Sequence, residues 1–214
     1  MKVQLTIPNN LNEVTLGQYQ EYLKLENLTQ TELSFKMIEI FCKLDTKAVR
    51  SLKATDIKEI AQIITDMFEG KPGLVHSFKL GGTEYGFINN LDEMTFGEYI
   101  DLDTYIGDWE NIEKAMGVLY RPVKHRKGGR YVIEDYEAKD AEPLKDMPLD
   151  AVLGSIIFFY HLGNDLCQVM MNSFQEETET NSQELHNLGL STDGIQAFMH
   201  SLSQILGDLK ISLN

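Results

Sequence analysis

The eleven residues Asn9–Tyr19, NNLNEVTLGQY, return as NNLDEMTFGEY at Asn89–Tyr99. Seven of the eleven are identical, and the pairs Asn12/Asp92, Val14/Met94, Leu16/Phe96 and Gln18/Glu98 keep their chemical character. In each copy a threonine, Thr15 or Thr95, precedes Gln18 or Glu98 by three positions, the spacing of a capping box. The hydroxyl accepts from the amide three residues on, and the longer side chain reaches back to the threonine amide. Val14 and Met94 precede the cap, while Tyr19 and Tyr99 take the fourth helical position, so each pair is placed as a hydrophobic staple. Leu11 and Leu91 anchor the incoming turn, and the paired asparagines suit a bend. Gly17 and Gly97 fall in the first turn, where a missing side chain lets another segment approach. The repeat is a signal to start a helix, and none of its carboxylates or tyrosines requires a catalytic role.

The similarity extends beyond these residues. An alternating strand pattern, KVQLTI from Lys2, stands before the first copy, and HSFKLGGTEYGFI from His76 before the second reads as a hairpin about Gly81-Gly82. A second helix follows each copy, with Leu33, Met37, Ile38 and Phe41 in one and Trp109, Ile112, Ala115, Met116, Leu119 and Tyr120 in the other. For a third, SLKATDIKEIAQIITDMF from Ser51 resembles PLKDMPLDAVLGSIIFFY from Pro143. The offset has grown from 80 to 92, and the twelve extra residues include VKHRKGGRYVI. The expected fold is mainly α, of the α+β class: two duplicated units of strand plus three helices, with small β-hairpins and a C-terminal amphipathic helix. Residues 1–72 form the first unit, and 73–174 the second, with a basic hairpin insertion at 121–133. An acidic linker at 175–190 and a helix at 191–214 follow. The join at EGKPGLV, Glu69–Val75, breaks any helix, and the two halves are expected to pack pseudo-symmetrically.

Chemistry is sparse. The formal net charge of -14 repels phosphate backbones, so nucleic acid is disfavoured as a partner. Cys42 and Cys167 form no CxxC and read as buried free thiols in a reducing cytoplasm. The N-terminal MKVQLTIPNNLNE lacks the apolar run of a secretory signal. The uncharged stretch Ala151–Asn164 has fourteen residues, short of the roughly twenty that span a bilayer. His161 and Asp165 lie four apart with no third ligand at a telling spacing, and Asp101 and Asp103 point apart on a helix. No phosphate-loop, dinucleotide, nucleophile-elbow or zinc-helix motif occurs. The expectation is a non-enzyme without cofactor or metal.

Two segments suit contact with a partner. RPVKHRKGGRY gathers Arg121, Lys124, Arg126, Lys127 and Arg130, five of the nineteen basic residues in ten positions. It reads as a basic hairpin turning at Gly128-Gly129, either a solvated tip or a contact for an acidic surface. After the polar QEETETNSQE, the segment from Ser191 places Ile195, Phe198, Met199, Leu202, Ile205, Leu206 and Leu209 on one helical face. That stripe either docks on its own core or serves a partner or self-association.

The stretches IPNNLNEVTLGQYQEYLKL and FINNLDEMTFGEYIDLDTYIGDWENIEKAMGVLYRPV, roughly half of the chain, resemble small acidic helical proteins of tailed bacteriophages, encoded among structural and tail-assembly genes. The resemblance implies a non-catalytic assembly protein. It would be a tail assembly chaperone that binds a tape-measure, tail or neck protein in the cytoplasm of the infected host. The alternative it implies is a permanent virion component of the neck, tail or capsid interior. No catalytic residues come with it.

Overall fold

A computed structural model describes residues 5–138 and 141–162. The chain divides into two compact units, Met1–Gly154 and Ser155–Asn214. Both copies of the repeat therefore lie in the first unit. In the second, the described residues 155–162 are helical.

The protein is mixed α+β and mainly α, as expected. After a 3-10 turn at Leu11–Glu13 come α1 (Leu16–Leu23), α2 (Gln30–Phe41), α3 (Thr46–Arg50) and α4 (Ala54–Phe68). The hairpin β1 (Ser77–Leu80) and β2 (Thr83–Phe87) leads to a 3-10 turn at Leu91–Glu93. Then follow α5 (Phe96–Tyr105), α6 (Ile112–Leu119), β3 (Tyr120–Lys127), β4 (Arg130–Ile133) and a 3-10 turn at Glu142–Asp146. A helical run begins at residue 149.

Both predicted capping boxes form. The Gln18 amide donates to Thr15 Oγ1 at 3.2 Å and the Thr15 amide to Gln18 Oε1 at 3.1 Å. At the second copy the Thr95 amide donates to Glu98 Oε2 at 2.6 Å. A third box, Thr29 with Glu32, starts α2, and Asp45 caps α3. The two Gly-Gly turns take left-handed backbone, with φ of +57° and +85° at Gly81-Gly82 and +55° and +82° at Gly128-Gly129. Only glycine adopts such a pair without strain, and the resulting turn matches the twist of the strands it joins. The two hairpins merge into one antiparallel sheet of order β1-β2-β3-β4. Tyr131 of β4 lies across Gly86 of β2, where a Cβ would run into its ring. Its hydroxyl donates to the Phe87 and His76 carbonyls, at 2.8 and 2.9 Å.

Three expectations shift. Leu5–Ile7 form no strand, since no sheet edge among the described residues meets them and alternation alone supplies no hydrogen-bond partner. Helix α6 stops at Leu119, and Tyr120 opens β3 with its hydroxyl between the Val75 and Ala151 carbonyls, at 2.8 and 3.2 Å. The helix expected from Pro143 begins only at residue 149, because Pro148 holds Met147 extended (ψ 152°).

That interruption organises the core. The end of the 3-10 turn and the extended residues 147–148 cross the first copy of the repeat, bridging Thr15 to Pro148. The Leu16 amide donates to the Met147 carbonyl at 3.0 Å, and the Leu149 amide to the Val14 carbonyl at 2.9 Å. The Lys145 carbonyl passes 3.3 Å from where a Gly17 Cβ would stand. Further along α1, Trp109 packs edge-on against Tyr19 at 5.3 Å. Gln20 Nε2 donates to the Trp109 carbonyl at 2.8 Å and to Glu113 Oε2 at 2.9 Å. The second half thus covers the first motif. At the second copy no described residue bonds the Phe96 amide or the Met94 carbonyl, and the contacts come instead from Arg121 on Glu98 and Tyr131 on Asn89.

Leu16 is fully buried, whereas its counterpart Phe96 is 77% exposed. Leu16→Ala should therefore cost about 2–5 kcal/mol, and Phe96→Ala less than about 0.5 kcal/mol. Urea unfolding of the two variants checks this, and equal losses would contradict the asymmetry.

Candidate functional site

Helix α5 is held to the sheet by a charge pair. Glu98 is drawn inward by its cap bond to Thr95, and its other oxygen accepts from Arg121 Nη1 at 2.8 Å. Arg121 stands opposite Gly86 in the β2–β3 register. The two side chains are 5% and 11% exposed. A pair so desolvated is costly to break, because either partner alone is a buried charge. Arg121 Nε is itself buried with no hydrogen-bond partner among the described residues.

With Glu98, Leu102 and Ile106 facing in, helical geometry turns Phe96, Tyr99, Ile100 and Asp103 outward on one face. Phe96, Tyr99 and Ile100 are 77%, 55% and 45% exposed. Their counterparts in α1 are Leu16, Tyr19 and Gln20, all buried. The exposed copy is thus the more apolar one, carrying Phe for Leu and Ile for Gln. Solvent exposure alone would favour the reverse. The pattern of α5 by itself does not single out this face. Aligning the copies position by position reveals it, because Gln20 and Ile100 share a helical position and differ in polarity against their surroundings.

The five basic residues singled out in the hairpin separate into three roles. Arg121 belongs to the interior pair. Lys124 bonds Asp135 at 3.1 Å and, through that bond, holds its carboxyl below the usual carboxylate range. Arg126 pairs with Glu84, bonds Ser77 Oγ at 3.0 Å and lies 5.2 Å over the Tyr131 ring. Lys127 and Arg130 flank the Gly128-Gly129 turn, exposed and without an acidic partner among the described residues. Among the described residues the hairpin tip therefore offers two unpaired cations rather than five. The other expected contact residues, Ile195, Phe198, Met199, Leu202, Ile205, Leu206 and Leu209, lie outside the described residues, as do Cys167 and Asp165.

A cleft of about 280 Å³ opens beside the pair, with Asp101, Lys114, Arg121, Tyr136 and Glu137 among its walls. Tyr136 donates its hydroxyl to Asp101 Oδ2 at 2.6 Å. Burial, and then this bond, holds the phenol well above its usual range, so at neutral pH it is a donor and not a base. Asp103, on the exposed face, does not join Asp101. Among the described residues no group of three or more His, Cys, Asp or Glu side chains converges as metal ligands. Burial pushes the Cys42 thiol up to about 11, away from the reactive thiolate. No helix among the described residues is long and apolar enough to cross a membrane.

Comparison with family models, with characterised proteins and with solved structures finds no match for this chain. The site therefore stands on its own geometry: an apolar helical face locked in place by a buried charge pair.

Arg121→Met should destabilise the fold by about 3–5 kcal/mol by leaving Glu98 buried without its counter-charge. Adding Glu98→Gln should recover most of that loss, since Gln18 shows that glutamine serves the same cap. Chemical denaturation of the single and double variants measures this. A double variant as unstable as the single one would refute the role given to the pair.

Proposed function

We propose that this chain is a non-catalytic bacteriophage assembly protein, a tail assembly chaperone that holds another phage protein through the open face of α5. The observation that carries the reading is the exposure of Phe96, Tyr99 and Ile100 at positions whose counterparts are buried in the first copy. Fully burying side chains of this kind is worth about 1.5–3 kcal/mol each, which gives a partner reason to bind. A helix fixed by the Glu98–Arg121 pair loses little freedom on binding, so less of that gain is spent on ordering.

The phage context comes from the resemblance of the two capped-helix regions. A tape-measure, tail or neck protein is the client it suggests, met in the cytoplasm of the infected cell. The net charge of -14 fits a carrier, since it keeps the complex soluble and steers basic clients toward it.

Quantitative mass spectrometry of purified particles against infected-cell lysate tests the reading. A departing chaperone is abundant in lysate and absent from particles. A fixed copy number per particle would overturn it in favour of a permanent component of the neck, tail or capsid interior.

A further inference from the structure

We propose that the second copy of the repeat is a docking site for a short segment of a partner protein that crosses it with two extended residues. That segment is apolar with a basic flank, and it seats there as residues 145–149 seat on the first copy. The proposal rests on the reading that the chain holds another phage protein, and it states what that protein must present.

The first copy supplies the template. Its cover contributes one carbonyl, from Met147 to the Leu16 amide, and one amide, from Leu149 to the Val14 carbonyl. The residue between them, Pro148, sits at the bridge and donates nothing, so proline is tolerated there. Met147 and Leu149 are fully buried by the contact.

The second copy offers the same fittings unoccupied. The Phe96 amide and the Met94 carbonyl, equivalents of Leu16 and Val14, have no hydrogen-bond partner among the described residues. The Thr95 amide is already taken by Glu98, as Thr15's is by Gln18, so the edge presents the same two groups. The Lys145 carbonyl lies 3.3 Å from where a Gly17 Cβ would stand, tighter than an ordinary contact, yet a Cβ placed on Gly97 would meet nothing within 4 Å. Gly97 leaves bare the same strip of backbone over which the Lys145 carbonyl passes at Gly17. Phe96, Tyr99 and Ile100 supply the apolar wall.

Charge selects the occupant. Asp92 and Asp103 stand where the first copy has Asn12 and Leu23, and with Glu93 they are exposed with no cationic partner among the described residues. A second copy of this chain meets that rim poorly. A two-fold contact would set these acids against themselves, and the chain's own 145–149 segment is already engaged on its first motif. A partner segment with the order basic, any, apolar, proline-tolerant, apolar satisfies both the backbone groups and the rim.

The test is a capped peptide copying residues 142–151 of this chain with Asp146→Lys, titrated into the isotope-labelled full chain and followed by NMR. The expected result is saturable shift changes at residues 94–103 that weaken as salt is raised. In the Gly97→Leu variant, whose added Cβ meets nothing within 4 Å, binding should weaken by about tenfold or more with no loss of melting temperature. No saturation at millimolar peptide, or equal binding by Gly97→Leu, overturns the proposal. Shifts at these residues that track protein concentration without peptide would make a second copy the occupant and overturn it as well. The particle measurement and this one fail independently: a virion protein could still bind the peptide, and a chaperone could hold its client elsewhere.

Discussion

The two main-chain bonds between Val14–Leu16 and Met147–Leu149 tie the two ends of the first compact unit together. They bring residues more than a hundred positions apart into one ladder, and they bury Leu16, Met147 and Leu149 completely. Ordering so long a loop costs entropy that local structure cannot return. The return comes from the apolar contacts made when the segment closes over α1. The Tyr19–Trp109 contact and the Gln20 bonds to Trp109 and Glu113 extend the same closure along the helix. The two copies of the repeat are therefore interlocked within the first compact unit.

A capping box stabilises a helix start whatever lies above it, because its bonds span three residues. The same eleven-residue signal can accordingly begin a core helix at Thr15 and a surface helix at Thr95. Duplication supplies the local structure twice, and tertiary packing uses the two copies differently. Glu98 illustrates the divergence. As glutamine at position 18, the residue bonds the Ile40 carbonyl at 2.5 Å, whereas as glutamate it anchors Arg121 and fixes α5 with its apolar face outward.

How much of this is legible in the sequence follows from the range of each interaction. The capping boxes at Thr15 and Thr95 and the turns at Gly81-Gly82 and Gly128-Gly129 are legible, since each is set by a few adjacent residues. The Thr29–Glu32 box is equally local but has no second copy to draw attention to it. Alternation at Leu5–Ile7 reads as a strand and is not one, since pairing depends on a neighbouring edge that three residues cannot reveal. The density of positive charge in β3 and β4 is visible, but its neutralisation is not: Glu98, Glu84 and Asp135 come from other elements. The open face of α5 is written in the Gln20/Ile100 difference, yet it acquires meaning only when the burial of α1 is known.

The account depends on two equivalent motifs being closed in one case and open in the other. Residue-resolved amide hydrogen exchange of the free protein tests this most directly, through the amides of Leu16 and Phe96. Leu16, bonded to the Met147 carbonyl beneath buried side chains, should exchange only through large-scale opening, while Phe96 should exchange near the rate of an unprotected chain. Strong protection at both amides would show that the second motif is already covered, and would contradict the account.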